Sequence, residues 1–291
     1  MTFLFALARA LHFASLMTLF GACAFAFIVQ RRLRRDVNLP RQLLLACGSI
    51  VLATTLISVA FVAGEMSKGA AITFAPDTLG QVLASTLYGR IAAARMVLLA
   101  AFVVIGCFSR PALQSGGCIV GGIALALLGL TSHAAASGSV AYSLLRAVVD
   151  ALHLVAGGFW IGGVAALAFA VWRTPRDGDG HIALLRLFSR WGVVAVATLV
   201  VAGTINGFAI LDIQGMRWSA VYLAWLAVKL ALAAIMVALA LTNRFGVLPG
   251  LMRGEADAAE TLPLTLSAEL IVAGLILLCV GFLGLTAPMA M

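Results

Sequence analysis

Residues 3–35 read FLFALARALHFASLMTLFGACAFAFIVQRRLRR. The apolar stretch from Thr2 to Val29 exceeds the ~20 residues that a helix needs to cross a hydrocarbon core of ~30 Å. Four arginines follow at once (Arg31, Arg32, Arg34 and Arg35), with Arg41 just beyond. Such a cluster is held on the cytoplasmic side of a membrane. The stretch is too long for a signal peptide and has no basic region before it. Leu19-Phe20-Gly21-Ala22-Cys23 loosely resembles a lipoprotein cleavage site, but the basic run follows it, on the wrong side for export. The segment therefore reads as a first membrane helix retained in the mature protein, entering from outside.

The rest of the chain repeats that pattern. Of 291 residues, 63% are apolar and 10% charged; soluble domains carry about 45–50% and about 25%. A water-facing surface needs more charge than this, so a soluble core is excluded. A membrane β-barrel would show alternating segments of ~10 residues, which are absent from the sequence. Apolar runs predict eight transmembrane helices at 3–29, 43–64, 88–108, 117–135, 146–172, 189–211, 219–242 and 263–287. Alternation from the first basic cluster makes the loops at Arg110, at Arg173 to Arg190 and at Arg244 to Arg253 cytoplasmic. Twelve of the nineteen Lys and Arg residues then lie inside, and both termini are periplasmic. The net charge of +8 is explained by these loops, so nucleic acid is not expected as a partner. The longest outer loop, 65–87, carries the turn signal Pro76-Asp77 and reads as a connection over the bundle, or alternatively a lid or metal entrance.

The halves overlay. Ala10-Leu11-His12 matches Ala151-Leu152-His153, and Gly21 then coincides with Gly162. Tyr88 with Arg95 matches Tyr222 with Lys229, and Leu128-Gly129-Leu130-Thr131 matches Leu283-Gly284-Leu285-Thr286. The offsets are 141, 134 and 155 residues, differences that loop lengths absorb. Four helices per unit preserve orientation, so the expectation is an all-α integral membrane domain, 1–291. It consists of two parallel four-helix repeats, 1–140 and 141–291, about an axis near the membrane normal.

Ionisable side chains inside a bilayer are costly, and function is the default explanation. His12, His133 and His153 fall on three helices, all in the outer half. Three imidazoles there could converge on copper, zinc, iron or nickel; the alternative is hydrogen-bonded helix glue. Positions 150, 153, 157 and 160 share one helical face. Asp150 is thus placed to accept the second N–H of His153 and fix its tautomer, with Trp160 as a cavity wall or a packing residue. Met66, Met216, Met289 and Met291 fall at the outer side, where a thioether suits Cu(I); simple packing and a disordered terminus are the alternatives. Arg95, Lys229 and Glu269 are intramembrane charges, and a Lys229–Glu269 ion pair would lower the burial cost of both. Asn206, Thr54 and Thr55 could line a path or bond helices together. His181 reads as solvated in a cytoplasmic loop. The five cysteines form no CxxC and read as packing residues.

The run His153-Leu-Val-Ala-Gly-Gly-Phe-Trp160-Ile-Gly-Gly resembles the signature of the copper resistance protein D (CopD) family of bacterial inner-membrane proteins. Thr131-Ser132-His133-Ala134 is similar to that family's Gly-His-Ala element, with serine in place of the glycine. Tyr88-Gly89-Arg90 and Asn243-Arg244 fit as well, and the resemblance covers essentially the whole chain. It implies an eight-helix copper homeostasis and resistance protein that binds copper at the periplasmic side. Such a protein would move or deliver the copper across the inner (cytoplasmic) membrane alongside a periplasmic copper-binding partner. On that basis the metal residues are His153, His133 and His12, the ion is copper, and no catalytic residue is expected. No P-loop is present, so nucleotide-driven transport within this chain is not expected. The alternatives are a b-type haem-binding redox protein using His133 and His153, and a scaffold whose histidines only hold helices together.

Overall fold

The computed structural model describes residues 2–67, 72–109, 111–131, 140–174, 177–211 and 219–286. Among them every regular element is helical: α1 (Thr2–Leu33), α2 (Arg41–Met66), α3 (Pro76–Ser85), α4 (Leu87–Phe108), α5 (Pro111–Gly129), α6 (Val140–Arg173), α7 (Gly178–Leu211), α8 (Ala220–Thr242), a π-helical turn (Asn243–Val247), α9 (Leu248–Met252) and α10 (Ala256–Leu283). Among the described residues seven helices are long and apolar enough to cross a membrane. They are α1, α2, α4, α6, α7, α10 and the run Ala220–Met252, in which α8 continues through the π-helical turn into α9. The expected span 117–135 corresponds to α5, which starts earlier and ends at Gly129; its apolar part, Leu113–Gly129, is shorter than the other spans.

Two boundaries differ from expectation for identifiable reasons. Segment 65–87 is not only a loop. Pro76 is the first residue of α3, a position where its missing N–H costs nothing, so the proline starts a helix rather than a turn. Val82 of α3 packs with Val59, Ala63 and Ala92, seating α3 against α2 and α4. The junction to α4 is tight: a Cβ on Gly89 would sit within 2.5 Å of the Val82 carbonyl carbon. Thr86 caps α4 by accepting from the Gly89 N–H at 2.9 Å. Helix α7 begins eleven residues before the expected 189, because Leu184, Leu185, Leu187 and Phe188 find a core to pack against. His181 lies in its first turn and is buried, not solvated as the loop assignment implied.

α1 and α6 form the centre. In their most apolar stretches 67% and 61% of the residues are buried, against 6% for the α8 run, which stands at the periphery. The crossing is reciprocal. A Cβ on Gly21 would meet the Gly158 carbonyl oxygen at 2.0 Å and Gly162 Cα at 2.8 Å; one on Gly162 would meet the Met17 carbonyl oxygen at 2.3 Å and Gly21 Cα at 2.7 Å. Only glycine permits backbones this close. Around this pair α1 packs against α2, α5 and α10, while α6 packs against α7, α10 and α5. α2 packs along α4, whereas beyond α6 the principal neighbours of α7 among the described residues are α9, α1 and the π-helical turn rather than α8.

Several basic loops meet at one end. Arg35 Nη1 pairs with Asp177 Oδ2 at 3.0 Å, joining the segment after α1 to the one after α6. Arg244 Nη1 donates to both the carbonyl and hydroxyl oxygens of Ser189 at 3.0 Å, and Arg186 Nη2 reaches Met252 Sδ at 3.0 Å. Between α9 and α10 the chain reverses through Gly254 at φ +76°. There Glu255 N donates to Gly250 O and Gly254 N to Leu251 O, the paired bonds of a Schellman ending.

Candidate functional site

His12 and His153 occupy corresponding places in α1 and α6 but have different surroundings. His12 is 7% exposed and bonded at both ring nitrogens. Its Nδ1 lies 2.8 Å from Thr54 Oγ1 on α2, and Arg95 Nη2 on α4 lies 2.6 Å from its Nε2. The Thr54 hydroxyl spends its proton on the Ile50 carbonyl at 2.7 Å, so it accepts from His12 Nδ1–H. That fixes a neutral imidazole with its Nε2 lone pair turned to the Arg95 guanidinium. A metal could use this nitrogen only if Arg95 withdrew. Arg95 is 4% exposed, its Nε is unpartnered, and so is the buried Nε of Arg9 on α1. No motif singled out Arg9 or the buried Arg146, whose guanidinium lies 5.7 Å from the Tyr142 ring. Arginine near a helix end reads from sequence as an interfacial residue.

His153 is the contrasting case. Its Nδ1 is buried and has no hydrogen-bond partner. The ring rests against α7, where the Leu199 backbone interacts with it at the edge of hydrogen-bonding geometry. A Cβ added to Gly203 would meet its Cε1 at 3.3 Å and its Nδ1 at 3.5 Å, so the imidazole packs closely against Gly203. Lys229 on α8 lies within electrostatic reach of His153, Asp150 and Cys279. Asp150 accepts from Asn206 Nδ2 of α7 at 2.5 Å, so it ties α6 to α7, and it is not the partner of His153 Nδ1. A buried polar atom without a partner costs about 1–3 kcal/mol and calls for an explanation.

The expected Lys229–Glu269 ion pair is not formed; the described ion pairs are Arg35–Asp177 and Arg253–Glu255. The reason is register. α8 and α10 pack with Cys279 Sγ bonded to the Trp225 carbonyl at 3.1 Å, which puts Lys229 level with Cys279. Glu269 lies ten residues away along α10, roughly 15 Å at helical rise. There its Oε1 accepts from Asn243 Nδ2 at 2.6 Å, and Thr265 Oγ1 donates to Asn243 Oδ1 at 2.5 Å. Glu269 is 2% exposed and its Oε2 has no partner. Asn243, at the start of the π-helical turn, was legible only as part of the Asn243-Arg244 pair.

Trp160 is buried in the core around Val164, Leu167 and Phe188, one helical turn beyond Ala156 on the His153 helix. Met66 ends α2 and is half exposed. Cys23, Cys47 and Cys279 are buried packing residues, Cys118 is partly buried and Cys107 is exposed. His133, Met216, Met289 and Met291 lie outside the described residues. Among the described residues no group of three or more His, Cys, Asp and Glu side chains could hold a metal ion. Of the ring nitrogens of His12 and His153, Nδ1 of His153 is the buried one that lacks a hydrogen-bond partner.

Fold and site together define a multi-pass helical membrane protein with a pair of unequal histidine sites. The model for the N-terminal domain of copper resistance protein D-like proteins matches residues 1–143, and the model for copper resistance protein D matches residues 182–283. Copper resistance protein D of Pseudomonas syringae pv. tomato is 32% identical over 95% of this chain and 94% of its own length. Copper transport protein CutJ of Bacillus subtilis (strain 168) is 35% identical over 28% of this chain and 15% of its own. The chain belongs to the copper resistance protein D family. No solved structure matches it.

Proposed function

We propose that this protein takes copper as cargo on the periplasmic side of the cytoplasmic membrane and moves or delivers it across, with His153 as the entry ligand. The observation that carries this is the unpartnered, buried Nδ1 of His153, packed against a glycine of α7. Its counterpart His12, on α1, has both nitrogens bonded and serves in this reading as a structural residue. The relatives' names, copper resistance and copper transport, select copper among the metals an imidazole suits.

The same comparison supports the architecture. Met17 and Gly21 of α1 and Gly158 and Gly162 of α6 touch reciprocally, as equivalent surfaces must about a two-fold axis. Both pairs are separated by the 141 residues that also relate His12 to His153. We therefore retain two parallel four-helix halves, with α5 as the eighth span and both termini periplasmic. In that frame the basic end is cytoplasmic. His133 and Met66 remain proposed further ligands, with Trp160 bounding the cavity and a periplasmic copper-binding protein as donor. No catalytic step is assigned.

The test is copper binding by detergent-purified protein, comparing wild type with His153→Ala, His133→Ala and His12→Ala at matched folding. Copper bound by wild type and His12→Ala but lost from His153→Ala supports the assignment. Binding that survives in His153→Ala overturns it, and a Soret band without copper would support the haem alternative.

A further inference from the structure

The bundle holds a second buried polar site, remote from His153. Glu269 stands on α10 with one carboxyl oxygen held by Asn243 and the other free of any partner. The Asn243 amide is fixed at both ends, by Glu269 and by the Thr265 hydroxyl. It opens a five-residue π-helical turn, a distortion that recurs at functional sites because it frees a helix to change its winding. The turn is tied on its other side to α7 through Arg244 and Ser189.

Charges on the surrounding elements are placed elsewhere: Arg9 of α1 lies against Gly284 at the far end of α10. On α1, Arg31 lies over the Phe27 ring; on α6, Arg173 lies over Phe169. On α8, Lys229 is level with Cys279; within the π-helical turn, Arg244 is turned to Ser189. After α9, Arg253 pairs with Glu255. Among the described residues no cation pairs with Glu269. An ionised carboxylate with an unpaired oxygen and no counter-charge is costly at this depth, whereas the neutral acid leaves only one O–H unsatisfied. The arrangement therefore suits a carboxyl that carries its proton here and gives it up when the π-helical turn shifts and admits water.

We propose that Glu269 is a proton-binding site, with Asn243 and the π-helical turn as its gate, and that unloading accompanies copper movement. The O–H bond at Oε2 breaks, the proton passes to water, and the carboxylate is left with Asn243 and the admitted water; copper keeps its oxidation state in this step. The coupling rests on the function proposed above, whereas the proton site does not.

Two measurements separate these parts. Infrared spectra of the purified protein at neutral pH, in light and heavy water, should show a protonated-carboxyl band that disappears in Glu269→Gln. In Glu269→Asp the band should shift, so a poorly folding Gln variant does not leave the assignment open. A band unchanged in both variants, or absent from wild type, overturns the proton site. In liposomes containing a trapped pH indicator, added copper should drive proton release that falls to the protein-free level in Glu269→Gln, with copper binding retained. Proton release equal to wild type overturns the coupling. Absence of copper binding in wild type overturns the proposed function and the coupling with it, while the infrared band still decides Glu269.

Discussion

Replacing Gly162 by alanine probes the contact on which the whole bundle is centred. The new methyl would stand 2.3 Å from the Met17 carbonyl oxygen, 2.7 Å from Gly21 Cα and 2.8 Å from the Ala22 nitrogen. Carbon contacts are optimal at roughly 3.5–4.0 Å, so α1 and α6 must part by about 1 Å. All three obstacles are backbone atoms, so no side chain can rotate away. Overpacking of this kind costs about 1–3 kcal/mol, and the rigid partners put it at the upper end. At roughly 1.4 kcal/mol per tenfold, the folded-to-unfolded ratio should drop about a hundredfold. The assay is reversible unfolding in mixed micelles, followed by tryptophan fluorescence. Gly274→Ala is the control: nothing lies within 4 Å of its Cβ position, and the helix-interior glycine it removes should make the protein about 0.5–1 kcal/mol more stable. Equal stability of Gly162→Ala and wild type would refute the close α1–α6 approach, and with it the support that contact lends to the proposed two-repeat arrangement.

Two further outcomes follow from particular bonds. Thr54→Val removes the acceptor of His12 Nδ1–H and leaves a buried donor unsatisfied, which should cost about 1–3 kcal/mol in the same assay without reducing copper bound per protein. The Arg253–Glu255 pair holds the Glu255 carboxyl below its usual range, mainly through the hydrogen bond from Arg253. A folded-state value below the unfolded one contributes stability above the unfolded value and loses it as pH falls through the folded one. Both side chains are about half exposed or more. Unfolding midpoints of Glu255→Gln should therefore lie barely below wild type at neutral pH, and the gap should close in acid or high salt.

The residues that stood out in the sequence were placed by cost. Histidines, a lysine and a glutamate inside apolar runs are visible because a bilayer penalises them. Which of them pair was not visible, because pairing depends on the register between helices far apart in the chain. Lys229 and Glu269 looked like partners as two opposite charges on helices expected to touch. The antiparallel register of α8 and α10 sets them about 15 Å apart, and Glu269 is given to Asn243 instead. Asp150 was placed beside His153 by a shared helical face; its bond to Asn206 of α7 was not visible.

By itself the sequence determined the class, the membrane helices to within a few residues at most boundaries, and the basic loops. Length, hydropathy and charge are local properties that the bilayer reads directly. It also marked Gly21 and Gly162 as a matching pair, though not that they meet. Only the tertiary structure decided which histidine has both ring nitrogens bonded and which has a nitrogen without a partner. His12 and His153 lie in the same motif, and the difference between them resides on other helices. Thr54 and Arg95 occupy both nitrogens of His12, while Gly203, the residue of α7 packed against Nδ1 of His153, offers it no side-chain partner. Solvation and hydrogen bonding of a buried atom depend on what packs around it in space, and that packing is settled by helix register and crossing rather than by the atom's own neighbours along the chain.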